Sequence, residues 1–375
     1  MINVTQVDVQ NRGQVNRFIQ FHYDLYKTCP QWVPPFYSDI RMMMNPNKHP
    51  FYEHSDADFF LAERNGEVVG RIAALENKPF NKYHQAKEAV FYLFDTINDA
   101  EVAGALFNRA FDWAKKRGLT KIIGPKGFSP FDGYGIQVRG HDHRQMMIMM
   151  NYNYPYYQDL VEGLGFAKEV DFVSTYMHRD SFKLPEKVHE ISRRVKERGA
   201  FRVQNFTSKK QLREWAIPIG RAYNDTFVNN WEYYPLSDRE IDFTLNNLMS
   251  VAVPELIKII MYKEKIVGFL LGFPDISAAL QRHGGRITPW GIVDMLRELK
   301  KTDWISLNGA GVLPEFQGRG GNALLYTEMA ATITGSQFVH AELTQVAETT
   351  KQMRADLNNV GSDAYKNHRV YHKDI

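Results

Sequence analysis

Apolar residues along the chain alternate with polar ones in short runs and then recur at helical spacing, and this succession occurs twice. In the first half, residues 59–63 and 67–75 flank Asn65-Gly66, a pair typical of a tight turn between two strands. A third strand is predicted over 89–94, followed by a helix over about 99–117 where apolar residues recur every three or four positions. This order of elements predicts a mixed α/β (α+β) sheet with helices packed on it.

The second half predicts the same order of elements. Strands are expected over 256–262, 266–272, 304–312 and 339–346, with a helix before the last of them. Gly70 and Gly268 close equivalent strand pairs 198 residues apart, and Gly165 and Gly361 each end a helix 196 residues apart. A nearly constant offset indicates a duplicated domain. We therefore predict domains over residues 1–180 and 200–375, joined by a helical connector over 181–199.

The segment 312–325 carries the most specific chemistry, because an apolar strand runs through a glycine-rich bend directly into a helix. Glycines allow the backbone to turn and bring successive N–H groups close to a ligand. The start of a helix adds unpaired donors and a partial positive charge. The segment therefore predicts a cradle for a diphosphate.

Two nucleotide-binding motifs fit this segment poorly. A P-loop ends in Gly-Lys-Ser/Thr, whereas Gly321 and Asn322 follow Gly320 here. A dinucleotide fingerprint needs a third glycine where Ala323 stands. ATP, GTP and dinucleotides are thus disfavoured as ligands.

The segment instead resembles motif A of the GCN5-related N-acetyltransferases, Q/R-x-x-G-x-G/A, whose amides hold the pyrophosphate of acetyl-coenzyme A. Gln317 and Gly320 occupy its first and fourth positions, whereas Asn322 stands where the family has Gly or Ala. The resemblance implies two tandem acyl-CoA N-acyltransferase-like domains, with acetyl-CoA or another acyl-CoA as co-substrate and no metal. It assigns cofactor binding to Val312, Leu313, Gln317, Gly318, Arg319, Gly320, Gly321 and Asn322.

The first copy lacks the glycine-rich turn. The matching segment, 94–100, carries Asp95 and Asp99 instead, and negative charge there is expected to repel a diphosphate. We therefore expect a degenerate first domain without an acyl-CoA site of its own.

Direct acyl transfer from a thioester to an amine needs a base for the ammonium and a hydrogen-bond donor for the thioester oxygen. The resemblance implies that a backbone N–H near residues 311–313 is the donor. Glu342 is the nearest acidic candidate for the base, with a surface glutamate as the alternative interpretation, and Glu348 and Asp225 compete. The family's usual acid is a tyrosine at the position that Leu357 holds here.

Substrate selection is predicted in the loop 224–235. Asn224, Trp231 and Tyr233 combine aromatic and polar groups that suit a cationic amine, although the same rings also suit a local core. The insertion over about 281–300 has apolar residues at helical spacing and fits a lid or a dimer contact. The apolar run 146–150 predicts a buried strand.

Charge, cysteine content and hydropathy limit the partners and the compartment that are expected. A net charge of +3 is too small to indicate nucleic acid, and a single cysteine, Cys29, favours a reducing, cytoplasmic compartment. No apolar run reaches the length of a membrane span, so no membrane partner is expected. Three function classes follow: an acyl-CoA-dependent N-acyltransferase acting on a small-molecule or peptide amine, a non-catalytic acyl-CoA binding or interaction module, and an aminoacyl transferase using charged transfer RNA. We favour the first, as a possible homodimer.

Overall fold

The computed structural model describes residues 1–147 and 150–375. Its strands are β1 (Ile2–Gln6), β2 (Asp56–Arg64), β3 (Glu67–Glu76), β4 (Glu88–Thr96), β5 (Lys121–Gly124), β6 (Ile136–Arg139), β7 (Ala167–His178), β8 (Phe201–Gln204), β9 (Ile257–Tyr262), β10 (Lys265–Pro274), β11 (Trp304–Val312), β12 (His340–Ala347) and β13 (Asp363–Asp374). Its α-helices are α1 (Arg12–Tyr26), α2 (Tyr37–Met43), α3 (Lys78–His84), α4 (Ala100–Lys115), α5 (Tyr156–Gly163), α6 (Glu186–Arg198), α7 (Lys209–Glu214), α8 (Ala216–Thr226), α9 (Asp238–Leu248), α10 (Ser277–His283), α11 (Pro289–Lys301), α12 (Gly321–Thr334) and α13 (Lys351–Asn359).

The chain divides into two compact units that interleave in sequence. Unit 1 comprises residues 1–173, 277–295 and 365–375, and unit 2 comprises residues 174–276 and 296–364. The predicted domains, 1–180 and 200–375, are each continuous in sequence, whereas the units are not. The domain boundaries at these positions remain a prediction. The predicted connector, 181–199, contains α6, which lies in unit 2.

Unit 1 has a sheet in the order β1-β2-β3-β4-β5-β13, in which β4 and β5 are parallel. The predicted hairpin turn lies between β2 and β3, with Asn65 and Gly66 both at positive φ. The apolar side of α4, including Val102 and Leu106, is fully buried in the core on this sheet. In the run 146–150 that predicts a strand, Ile148 and Met149 lie outside the described residues, while Met146 and Met150 are buried.

Unit 2 has a sheet in the order β12-β11-β10-β9-β8, in which β11 and β12 are parallel. Leu324, Leu325 and Met329 of α12 are buried against this sheet. Helix α6 packs along α12, where the hydroxyls of Ser192 and Thr327 are 2.7 Å apart. Val195 of α6 is also buried in this core, so α6 and α12 both contribute to it.

The duplication is visible in the strand that precedes the main helix of each unit. In β4 the register against β3 shifts next to Leu93, which has φ 47°, and in β11 the register against β10 shifts next to Gly309, which has φ 88°. Each bulge inserts one extra residue and bends its strand. The predicted mixed α/β fold with two related domains is confirmed.

Among the described residues, no helix combines the length and the hydropathy that a bilayer crossing requires.

Candidate functional site

The glycine-rich bend forms a left-handed turn between β11 and α12. A short 3-10 turn, Pro314–Phe316, follows β11 and buries the Phe316 ring. Gly318 and Gly320 then adopt φ 72° and 90°, a region that costs other residues strain. Gly320 is the N-cap of α12, so the chain enters the helix directly from the bend.

The backbone amides of residues 318–323 lie in this bend and at the start of α12. No side chain caps α12, and for the N–H groups of residues 318–323 the described part of the chain supplies no hydrogen-bond acceptor. Gln317, Arg319 and Asn322 are exposed, and the Arg319 guanidinium lies 5.2 Å from the Phe316 ring centroid. Six unpaired donors and a neighbouring cation form a setting that suits an anion.

The equivalent helix start in unit 1 is occupied by the protein's own carboxylate. Asp99 is the N-cap of α4 and accepts hydrogen bonds from the amides of Glu101 at 2.9 Å and Val102 at 3.3 Å. Arg64 lies 2.8 Å from the other carboxylate oxygen. The carboxylate thus takes up two of the donors that this helix start would otherwise offer to a ligand.

Asp95, the other carboxylate of this segment, is buried and paired. Its Oδ2 accepts from Arg71 at 2.6 Å and lies 2.9 Å from Nδ1 of His22. These partners hold the pKa of Asp95 below its usual range against the opposing effect of burial. The carboxylates expected to repel a diphosphate from unit 1 are thus paired with arginines of the protein itself, and one of them, Asp99, also caps the helix start.

Beside the cradle, β11 and β12 separate. Their parallel pairing ends at Leu307 and Leu343, whereas β11 continues to Val312 in pairing with β10. The Leu313 amide donates to the Val267 carbonyl of β10 at 2.9 Å and is therefore engaged. Because strand amides alternate in direction, the Val312 amide faces the opposite side, where β12 has departed. Of the predicted donors at residues 311–313, Val312 is the one that faces the gap between β11 and β12.

Glu342 lies on β12 in register with Ser306 of β11, one residue before the paired segment ends. Its side chain has no solvent exposure, so the alternative interpretation of a surface glutamate is wrong. Thr344, on the same side of β12, has its hydroxyl 3.0 Å from that of Ser306. The strands therefore carry a buried polar strip that leads to the gap.

The competing bases lie in different settings. Asp225 is exposed near the end of α8, and Glu348 is half-buried just after β12. Neither lies in the paired segment of β11 and β12.

A phenol that sequence reasoning did not single out lies between α12 and α13. The Tyr326 hydroxyl is 3.5 Å from Oδ2 of Asp356 on α13. Burial, reinforced by that carboxylate, raises the pKa of Tyr326 well above its usual value, so the phenol keeps its proton at neutral pH. Leu357, at the position of the family's tyrosine, is buried in α13 and has no proton to give. The only sign of Tyr326 in the sequence was its place in the helix predicted after the glycine-rich bend.

The predicted substrate loop is held together by Asn224. Its Nδ2 donates to the Leu236 carbonyl at 2.8 Å, and its Oδ1 accepts from the Leu236 amide at 3.1 Å. The side chain thus joins the two ends of the loop. Trp231 and Tyr233 are half-buried. A substrate-binding role for these three residues stays a prediction.

This architecture is that of tandem GCN5-related N-acetyltransferases. The chain is similar in structure to a tandem GNAT protein from the clavulanic acid biosynthesis pathway, with a TM-score of 0.56. The two are 11% identical in sequence, and the match covers 100% of this chain and 98% of the other. In sequence the chain is 27% identical to protein YghO of Escherichia coli K12, over 97% of this chain and 94% of that protein. It is 26% identical to the bacterial ceramide synthase of Caulobacter vibrioides, over 100% of this chain and 98% of that protein. No family model matches the chain.

Proposed function

We propose that the protein is an acyl-CoA-dependent N-acyltransferase whose acyl-CoA site lies in unit 2. The observation that carries the proposal is the contrast between two equivalent helix starts: α4 is capped by Asp99, whereas α12 presents the unpaired amides of residues 318–323. A diphosphate supplies the acceptors that such a helix start lacks. The gap between β11 and β12 then receives the thioester end of the same ligand.

The chemistry is a direct transfer. The amine nitrogen attacks the thioester carbonyl, the C–N bond forms, and the C–S bond breaks to release the CoA thiol. In this scheme the Val312 amide donates to the carbonyl oxygen as negative charge develops there. Glu342 accepts the proton that the ammonium must lose before attack. The nitrogen loses its second proton as the amide forms, and this proton, passed directly or through solvent, balances the one that the departing thiolate takes up.

One relative supports a choice of substrate class. A ceramide is the amide of a fatty acid with a long-chain amino alcohol. The name of the bacterial ceramide synthase therefore describes the N-acylation of an amphiphilic amine. We extend this chemistry to the present protein: its acceptor is a long-chain amine and its donor is a fatty acyl-CoA. Acetyl-CoA with a small polar amine is the competing pair, and the two pairs are separable by assay.

Binding is tested first, by calorimetric titration of the full chain with CoA, acetyl-CoA and palmitoyl-CoA. Arg319→Gln removes the cation beside the cradle and is expected to weaken all three by about threefold to tenfold. Lys210→Gln, an equally exposed charge on α7, is the matched control and should leave affinity unchanged. Failure of every CoA compound to bind would refute the proposal.

Turnover is tested by release of the CoA thiol in the presence of sphinganine or of short amines. Glu342→Gln should lower kcat about 100-fold or more while CoA affinity stays constant. Tight binding of CoA with no amine-dependent thiol release in the wild type would favour the non-catalytic binding module instead.

A further inference from the structure

Five of the eight large apolar side chains that are exposed in the described part of the chain lie in one short segment. Ile287, Trp290, Ile292 and Leu296 are 55%, 78%, 45% and 54% exposed, and Val293 is 39% exposed. Folded proteins seldom leave so many large apolar groups together in water without a partner. The segment comprises the loop before α11 and the first two turns of that helix.

Helix α11 has a clear division between its packed and its exposed sides. Gly291 is buried, Met295 and Leu299 are half-buried, and Asp294 is paired with Arg282 at 2.8 Å. On the opposite, exposed side of α11, the first two turns carry the apolar residues and the C-terminal turns carry basic residues. These basic residues are Arg297, Lys300 and Lys301, all exposed.

The base of this segment is fixed to unit 1. Gln281 donates to the carbonyls of Pro30 and Trp32, both at 2.8 Å. The Tyr37 amide donates to Gly285 at 3.0 Å, and the Arg286 guanidinium lies 4.9 Å from the Tyr37 ring centroid. The residues that lead into the exposed apolar segment are therefore held by hydrogen bonds and a ring contact, and the segment is not a loosely packed loop.

We propose that the apolar side of α11, defined by Ile287, Trp290, Ile292, Val293 and Leu296, docks the protein on an anionic lipid bilayer. An interfacial helix buries its apolar side among the acyl chains and keeps its Lys and Arg residues at the headgroups. Tryptophan is enriched at this depth of a membrane because its ring is amphipathic. The sequence-based expectation of no membrane partner rested on the lack of a spanning segment, and surface docking needs none.

Charge distinguishes a bilayer from a second copy of the chain as the occupant. A two-fold interface brings the same patch of both copies together. The two acidic residues of α11, Asp294 and Glu298, are half-buried, and its exposed side carries only cations among its charges. A second copy of this surface has no exposed carboxylate on α11 to pair with these cations, whereas anionic headgroups neutralise them.

The proposal is tested by co-sedimentation of the full chain with phosphatidylcholine vesicles, with and without phosphatidylglycerol. Wild-type protein should bind the anionic vesicles. The double variant Trp290→Ser/Leu296→Ser removes apolar contact and should lower the partition coefficient at least roughly tenfold. Lys300→Gln/Lys301→Gln should lower it by roughly tenfold to thirtyfold on anionic vesicles only. Tyr83→Ser changes an exposed ring on α3, 51% exposed, and should have no effect.

Three results would overturn the proposal. The first is that wild-type protein fails to pellet with any vesicle, and the second is binding that survives the Trp290→Ser/Leu296→Ser change. The third is a dimer in sedimentation velocity, without vesicles, that the same double variant dissociates. Vesicle binding needs neither CoA nor turnover, so its failure is distinguishable from failure of the proposed acyl transfer.

Discussion

Replacing Gly320 by alanine is expected to destabilise unit 2 far more than the same replacement at Gly318. Both residues have left-handed φ angles, 90° and 72°, so both variants carry backbone strain of about 1–2 kcal/mol. A Cβ at Gly320 would lie 2.7 Å from Cγ2 of Val195 and 2.8 Å from Cγ2 of Ile191, both on α6. A Cβ at Gly318 would have nothing within 4 Å. Overpacking of this kind adds about 1–3 kcal/mol, so we expect a total of ~2–5 kcal/mol at Gly320.

Urea unfolding followed by far-ultraviolet circular dichroism measures these differences. Val195→Ala removes one of the two methyl groups that the new Cβ would meet, so Gly320→Ala should cost less in that background than in the wild type. The double-mutant cycle isolates the packing contribution from the strain. Equal losses of stability at Gly318 and Gly320 would refute the packing of α6 on this turn. A side chain at Gly320 points at α6, so a bulky replacement there reports on packing more than on ligand approach.

Three further predictions concern unit 1, each measured by the urea midpoint. Asp95→Asn leaves the buried Arg71 without its carboxylate and should lower the free energy of unfolding by about 3–5 kcal/mol. The double variant Asp95→Leu/Arg71→Met should recover most of this stability, and no recovery would contradict the pairing. Asp99→Ala uncaps α4 and should cost about 0.5–2 kcal/mol, whereas no change would mean that water replaces the cap. Burial lowers the pKa of Lys126 to about 7 from 10.5. The unfolded chain therefore binds an extra proton between these values, and stability should rise with pH across that window, a rise that Lys126→Met abolishes.

The repeated elements were predictable because each carries its own local signal. Asn65-Gly66 specifies its turn through the left-handed conformation that both residues adopt, and the spacing of apolar residues specifies α4 and α12. The glycine-rich bend was predictable for the same reason, since Gly318 and Gly320 both have positive φ. These features depend on a few neighbouring residues, and the sequence contains all of them.

Features that depend on distant contacts were not predictable. Sequence gives no sign that Glu342 has no solvent exposure, because an isolated glutamate in a strand is usually exposed. Nor does it show that residues 277–295 pack with residues 30–37 of unit 1, because sequence order does not specify such a pairing. Asp99 was visible as an acidic residue before a helix, but the hydrogen bonds by which it caps α4 depend on the local backbone geometry.

The open start of α12 permits one experiment in which stability and affinity change in opposite directions. Asn322 is exposed in the first turn of the helix, two residues after the N-cap Gly320. A carboxylate there interacts favourably with the partial positive charge, so Asn322→Asp should stabilise the ligand-free protein by about 0.3–1 kcal/mol. The same carboxylate repels a bound diphosphate, so the affinity for CoA should fall.

Calorimetry and urea unfolding on one preparation measure both effects, and Asn205→Asp, an exposed position before α7, controls for the change in net charge. If Asn322→Asp stabilised the protein and left CoA affinity intact, the amides of residues 318–323 would not be the diphosphate site. If Asn322→Asp weakened CoA binding and stabilised the free protein, the N–H groups at the start of α12 would interact both with a carboxylate cap and with the ligand. The absence of such a cap in unit 2 would then leave these N–H groups free to bind a diphosphate. In unit 1, where Asp99 occupies the equivalent donors, no CoA binding is then expected while that cap is present.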